Sequence, residues 1–236
     1  MNIILTFAAV IVIAFSGIQA RADSYMHFPG ASADQRTLNA QNLVEELYDS
    51  GDYERSLIIY QKELAPIGDK YAQYMVGYML LAGQGVEQSK PKALAWFRLA
   101  AERGDPAIVQ SRDKLHQSMS QAEVVESNQI FVELWRELGD NNLILDLVRK
   151  DLDTLRARTG SRIPGSNSSP ITIVRPSTGE TSGEAYYDRV RKRMEMRLEF
   201  LDSNIEIIDI DLSDEFAVRK SLETEIRAEM AALENY

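Results

Sequence analysis

A Gly-Asp pair recurs at Gly68-Asp69, Gly104-Asp105 and Gly139-Asp140, in steps of 36 and 35 residues. That period suits one helix–turn–helix unit. Glycine ends a helix by taking a left-handed conformation that other residues avoid. The aspartate behind it caps the next helix by accepting from its free N–H groups. Other positions keep nearly the same step, Ser56-Leu57 against Ala93-Leu94 and Tyr60 against Phe97. Units of this size cannot bury their apolar faces alone, so they stack. The expected fold is therefore mainly α: an α-solenoid of helix pairs over residues 37–158.

Each unit divides at a turn. In the first, Gln41–Tyr48 and Tyr53–Leu64 flank Ser50-Gly51-Asp52. In the second, Lys70–Leu81 and Lys90–Arg103 flank a loop whose Gly83 and Gly85 suit positive φ. Small residues, Gly77 and Ala93, predict a close approach of those two helices, with Trp96 and Phe97 filling the neighbouring space. The third unit is degenerate, with Pro106–Met119 followed by Gln121–Leu138, and Ser120 with Glu123 predicts a capping box. Leu143–Leu155 carries the apolar stripe Ile144, Leu147, Val148, Leu152, Leu155, which suits the terminal cap of a solenoid.

The stretch from Ala72 to Ala107 resembles a Sel1-like repeat over its whole length. The residues that carry the likeness are Ala72, Gly77, Gly83, Gly85, Val86, Lys92, Ala93, Trp96, Phe97, Ala100, Ala101, Gly104 and Ala107. Val76 and Leu80 depart from the usual Leu and Tyr but still supply apolar volume. Leu47–Leu57 resembles the middle of a tetratricopeptide repeat, with Ser56 where alanine is usual. All of these are structural positions. The resemblance implies a bacterial, exported protein that works as an assembly or regulatory scaffold.

Outside the repeats the composition changes. Residues 1–22 read as a signal peptide: an apolar run from Ile3 to Phe15, broken at Ser16-Gly17, then the small-x-small pattern Ala20-Arg21-Ala22. The run falls short of the roughly 20 residues that span a bilayer. Cleavage then leaves no membrane insertion, and the expected location is periplasmic or secreted. Residues 23–36 form a loose leader. Residues 159–183, rich in Gly, Ser, Pro and Thr, form a linker or long loop. Within it Ile171–Val174, set between Pro170 and Pro176, is at most a short edge strand. Residues 184–236 form a C-terminal helical arm, with Thr181 and Glu184 as a capping box. Its two stripes are Tyr187, Val190, Met194, Leu198, Leu201 and Val218, Leu222, Ile226, Met230, Leu233, with a possible short strand at Ile205–Leu212.

Catalytic and metal-binding constellations are missing from the sequence. The formal charge of −10 disfavours phosphate backbones, so nucleic acid is excluded as an expected partner. There is no cysteine to act as nucleophile, thiolate ligand or lipid acceptor. His27 and His116 are the only histidines, and neither has a partner at metal or triad spacing. Asp209-x-Asp211-x-Ser213-x-Glu215 begins like a calcium loop but has Asp214 in place of the turn glycine and Lys220 in place of the final acid. Ser213 reads better as a helix cap. No catalytic residue, cofactor or metal is expected.

The remaining candidate is the helix Lys70–Leu81, which is apolar on every side. Burial between neighbouring repeats would explain it. Alternatively Tyr71, Met75 and Tyr78 turn outward into a groove that binds a partner protein or peptide, since the resemblance implies that first helices of such units line the groove. Two other functions stay open: a structural subunit that self-associates through its C-terminal helices, and a cell-wall-related hydrolase, which the absence of cysteine disfavours.

Overall fold

The computed structural model describes residues 35–158, 172–175, 179–203 and 213–234. The signal-peptide, leader and 205–212 strand readings fall wholly or mainly outside them. The chain divides into two units that meet in sequence between Leu143 and Ile144.

The first unit begins with α1 (Gln35–Asp49), two residues before the expected boundary, which buries Ala40, Val44 and Leu47 at helical spacing. α2 (Tyr53–Ile59) runs on through a π turn, Tyr60–Leu64, and a 3-10 turn, Ala65–Ile67, before the left-handed Gly68. Pro66 lacks the donor that would continue the ladder, which suits the tightening there. α3 (Lys70–Ala82) starts at its cap Asp69, whose carboxylate accepts from the Ala72 amide.

α3 and α4 (Lys90–Ala100, closing in a 3-10 turn at Ala101–Arg103) form the tightest pair of the unit. Gly77 makes this possible. A Cβ there would lie 2.6 and 2.8 Å from carbons of the Phe97 ring and 3.1 Å from the Ala93 carbonyl oxygen. The Phe97 ring stacks on Tyr74 with centroids 5.1 Å apart. Gly83 and Gly85 have φ of +70° and +69°, as expected, and Gly85 also lies against the backbone of Tyr53. Gly77→Ala should destabilise the protein: overpacking costs about 1–3 kcal/mol, and the better helix propensity of alanine returns no more than about 1 kcal/mol. Urea unfolding measures the net loss. A midpoint equal to that of wild type would mean that the two helices do not meet at residue 77.

α4 packs in turn on α5 (Pro106–Gln117) and α6 (Gln121–Leu138). Asp105 caps α5 through the Ala107 and Ile108 amides, and the Ser120–Glu123 capping box is present in both directions. The third Gly-Asp pair departs from the first two. Gly139 is extended (φ −61°, ψ 140°), and Asp140 is the first residue of α7 (Asp140–Arg158) rather than its cap.

The second unit holds α7 from Ile144 onward, so the division falls inside this helix and not at Arg158. The helix read as a terminal cap of the solenoid thus contributes mainly to the second core. The reason is its apolar stripe: Ile144, Val148, Leu152 and Leu155 are buried, with Leu145 in place of the half-exposed Leu147. Asp151 pairs with Arg193 and Arg197 of α8 (Gly183–Ser203), Arg197 Nη1 lying 2.5 Å from its Oδ2. On α8 Val190, Met194 and Leu198 are buried, while Tyr187 and Leu201 are half-buried. In α9 (Ser213–Glu234) Ile226 is buried, Leu222 and Met230 are half-buried, and Glu229 meets Arg156 of α7. β1 (Thr172–Arg175) and β2 (Gly179–Ser182) form an antiparallel hairpin, pairing Ile173 with Thr181. Thr181 is therefore a strand residue and not the cap of α8, because β1 offers it a ladder partner.

Candidate interaction surface

α3 is enclosed on two sides, by α4 and by α2 with its π turn. Eight of its residues between Ala72 and Leu80 are buried, Tyr78 being the exception. Met75 is 1% exposed, so it is a core residue and not part of a groove. It sits mid-stripe, where neighbours on both sides of the helix close over it. Tyr71 and Tyr78, one near the helix start and one in its last two turns, stay half-exposed.

These two tyrosines do not stand alone. Tyr71 meets Tyr60 edge-on, with centroids 6.3 Å apart, and the two hydroxyls share a hydrogen bond. Tyr48 of α1 donates to Gln84 Oε1 at 3.0 Å, meets the Tyr78 hydroxyl, and packs edge-on against Tyr53 at 5.3 Å. Burial pushes the Tyr48, Tyr60 and Tyr71 hydroxyls well above their ordinary pKa. The Glu45 carboxylate pushes the same way at Tyr60 and Tyr71, as do the phenols of Tyr78 and Tyr53 at Tyr48, Tyr48 at Tyr60, and Tyr60 at Tyr71, while the hydrogen bond with Tyr71 lowers Tyr60. They therefore remain neutral phenols at any physiological pH. The result is a tyrosine cluster assembled from α1, α2 and α3, with Tyr60 buried at its base and Tyr48, Tyr71 and Tyr78 half-buried at the surface.

The sequence reading did not include Tyr48, Tyr60 and Glu45 in this surface. The available signal was the repeat itself: Tyr48 and its acceptor Gln84 lie 36 residues apart, one period.

A buried ion cluster fixes the start of α3, directly beside Tyr71. Lys70 is 1% exposed, and its ammonium lies 2.6 Å from Glu102 Oε2 and 2.9 Å from Asp140 Oδ1. It also donates to the Leu99 carbonyl and to Gln73 Oε1. Arg103 completes the cluster, donating to both Asp140 oxygens at 2.7 and 3.0 Å and to the Gly68 carbonyl at 3.0 Å. Two cations meet two carboxylates, so the cluster is formally neutral, the condition under which buried charge is tolerated. It joins the three Gly-Asp junctions of the sequence in one place. Lys70 was legible in part, as the only charged residue of α3.

Chemistry of other kinds finds little support among the described residues. No group of three or more His, Asp or Glu could hold a metal ion there, and no described helix is long and apolar enough to cross a membrane. His116 is half-buried in the last turn of α5, and His27 and the 209–212 acids lie outside the described residues.

No curated protein and no solved structure matches the chain. The family model described as Sel1 repeat matches residues 70–105, the span from the first residue of α3 through α4 to the cap of α5. Sel1 repeats generally mediate protein–protein interaction and are typically non-catalytic. The close α3–α4 pair hinged on Gly77 and Phe97 is that repeat, so the chain is a mainly helical protein that carries a Sel1-like repeat over residues 70–105.

Proposed function

We propose that this protein is an exported bacterial adaptor that holds a partner protein on the tyrosine face of its first unit. The observation that carries the reading is the pairing of Tyr71 and Tyr78 with Tyr60 and Tyr48. Four phenols from three helices stand together: Tyr60 is buried, and Tyr48, Tyr71 and Tyr78 are half-buried, the last two on a helix whose other residues from Ala72 to Leu80 are buried. Tyrosine supplies large contact area with little rotamer entropy to lose, which is why it is enriched among interface anchors. The general role of Sel1 repeats in protein interaction supports the same reading. The apolar run and the Ala20-Arg21-Ala22 pattern support export.

Site-specific photo-crosslinking in bacterial cells tests the whole proposal at once. A crosslinkable residue in place of Tyr78 should give a discrete heterologous adduct in the periplasmic fraction, and one in place of the exposed Lys114 should not. The intact mass of the adduct's adaptor half should correspond to a chain starting at Asp23. Adducts only between two copies would favour the self-associating subunit instead. A full-length chain in the membrane or cytoplasm would overturn export.

A further inference from the structure

The tyrosine face has a charge character that narrows its partner. Glu45, Glu46 and Asp49 on α1 are exposed and form no ion pair among the described residues. Glu54 at the start of α2 is likewise exposed and unpaired among them. Of the cations on α1 to α3 and the turns between them, the exposed Lys62 alone forms no ion pair among the described residues, one against four such acids. Arg36 lies 3.8 Å from Glu63, Arg55 lies 3.1 Å from Asp52, and Lys70 is enclosed in its buried cluster. Gln41 donates to Asp69 Oδ2 at 3.2 Å and Tyr48 to Gln84 Oε1 at 3.0 Å, so the α1 stripe that carries Glu45 between them runs along α3 from its cap past its end, on the side of Tyr71 and Tyr78.

A neutral phenol presents a negative ring face and an oxygen acceptor, and both attract a cation. A carboxylate next to it adds attraction for a positive side chain and repels a negative one. We propose that this face receives a lysine- or arginine-bearing segment of the partner protein, its cation seated against Tyr71 beside Glu45. The inference rests on the reading above that the tyrosine face is the docking surface, and adds the chemistry of what docks there. An acidic or phosphorylated segment would meet Glu45, Glu46 and Asp49 with like charge. A purely apolar segment would leave the tyrosine hydroxyls and the acids without use.

The test is an array of random dodecapeptides probed with the purified protein. Bound peptides should be enriched in Lys and Arg and depleted in Asp and Glu. Glu45→Gln, at an exposed helix position where folding is not at stake, should lower the signal of the cationic peptides at least fivefold. Raising the salt from 50 to 500 mM should weaken them further. An enrichment in acidic or uncharged apolar peptides overturns the proposal, as does an array with no bound peptide or a Glu45→Gln signal equal to wild type. A third protein, Tyr71→Ser with Tyr78→Ser, separates the two levels of argument. Loss of all binding in that variant, with a bound set that is not cationic, leaves the docking face standing and removes the charge preference. Binding that survives it removes the docking face as well.

Discussion

Replacing Lys70 with methionine should cost about 3–5 kcal/mol of folding stability, the scale of breaking a buried ion pair by removing one partner. The methionine fills much the same volume, so the loss is electrostatic. Glu102 and Asp140 would lose the ammonium they share, leaving Arg103 on Asp140, and the Leu99 carbonyl and Gln73 would lose a charged donor. Removing a carboxylate as well should recover part of that loss. Lys70→Met with Glu102→Gln leaves the neutral Arg103–Asp140 pair, so the double variant should be more stable than the sum of the two singles predicts. Denaturant melts of the four proteins give the coupling directly, and additive losses would mean that Lys70 and Glu102 do not interact.

The same cluster sets a pH dependence. Burial alone would raise the Asp140 carboxyl, but Lys70 and Arg103 outweigh it and hold the group below its ordinary value. Between that depressed value and the unfolded one, about 3.9, the native state binds fewer protons than the unfolded chain. Its contribution is therefore complete above the unfolded value and is lost as pH falls through the folded one. The stability gap between wild type and Lys70→Met should accordingly narrow as the pH is lowered below about 4.

Trp96→Ala should be the most damaging truncation in the Sel1 repeat, at about 3–5 kcal/mol. The side chain is 4% exposed on α4, the helix that packs on α3, α5 and α6. A cavity there loosens helices on several sides at once, and close-packed interiors relax into such voids only partly. That loss is a large share of the stability of a domain this size. Thermal unfolding should show a drop of many degrees. A variant melting within a degree or two of wild type would remove Trp96 from the core and with it the register of the repeat.

Much of the first unit was legible because the rules that shape it are short-range. Gly68 and Gly104 end helices and Asp69 and Asp105 start them through contacts within a few residues. Ser120 and Glu123 close a capping box across one turn, and Gly83 and Gly85 take the conformation that only glycine adopts without strain. The meeting of Gly77 with Phe97 spans more of the chain, yet it too was readable, since small and large residues at matched positions describe their own packing.

The tertiary structure decided what depended on neighbours far along the chain. Asp140 had the same local sequence as Asp69 and Asp105, but Lys70, 70 residues before it, and Arg103 draw its carboxylate into a buried cluster instead of a cap. Met75 shares a stripe with Tyr71 and Tyr78, yet it is buried because α3 is enclosed on two sides, while the outer two tyrosines remain half-exposed. The stripe on α7 showed only that the helix needed an apolar partner. That it would meet α8 of the second unit, through the Asp151 pairs with Arg193 and Arg197, was not written in that stripe. Periodicity and capping are written in adjacent residues, so the sequence determined the repeat, its turns and its tight helix pair. Which charges meet, which apolar faces close and which tyrosines stay open depend on groups brought together from distant turns, and only the folded chain selects among them.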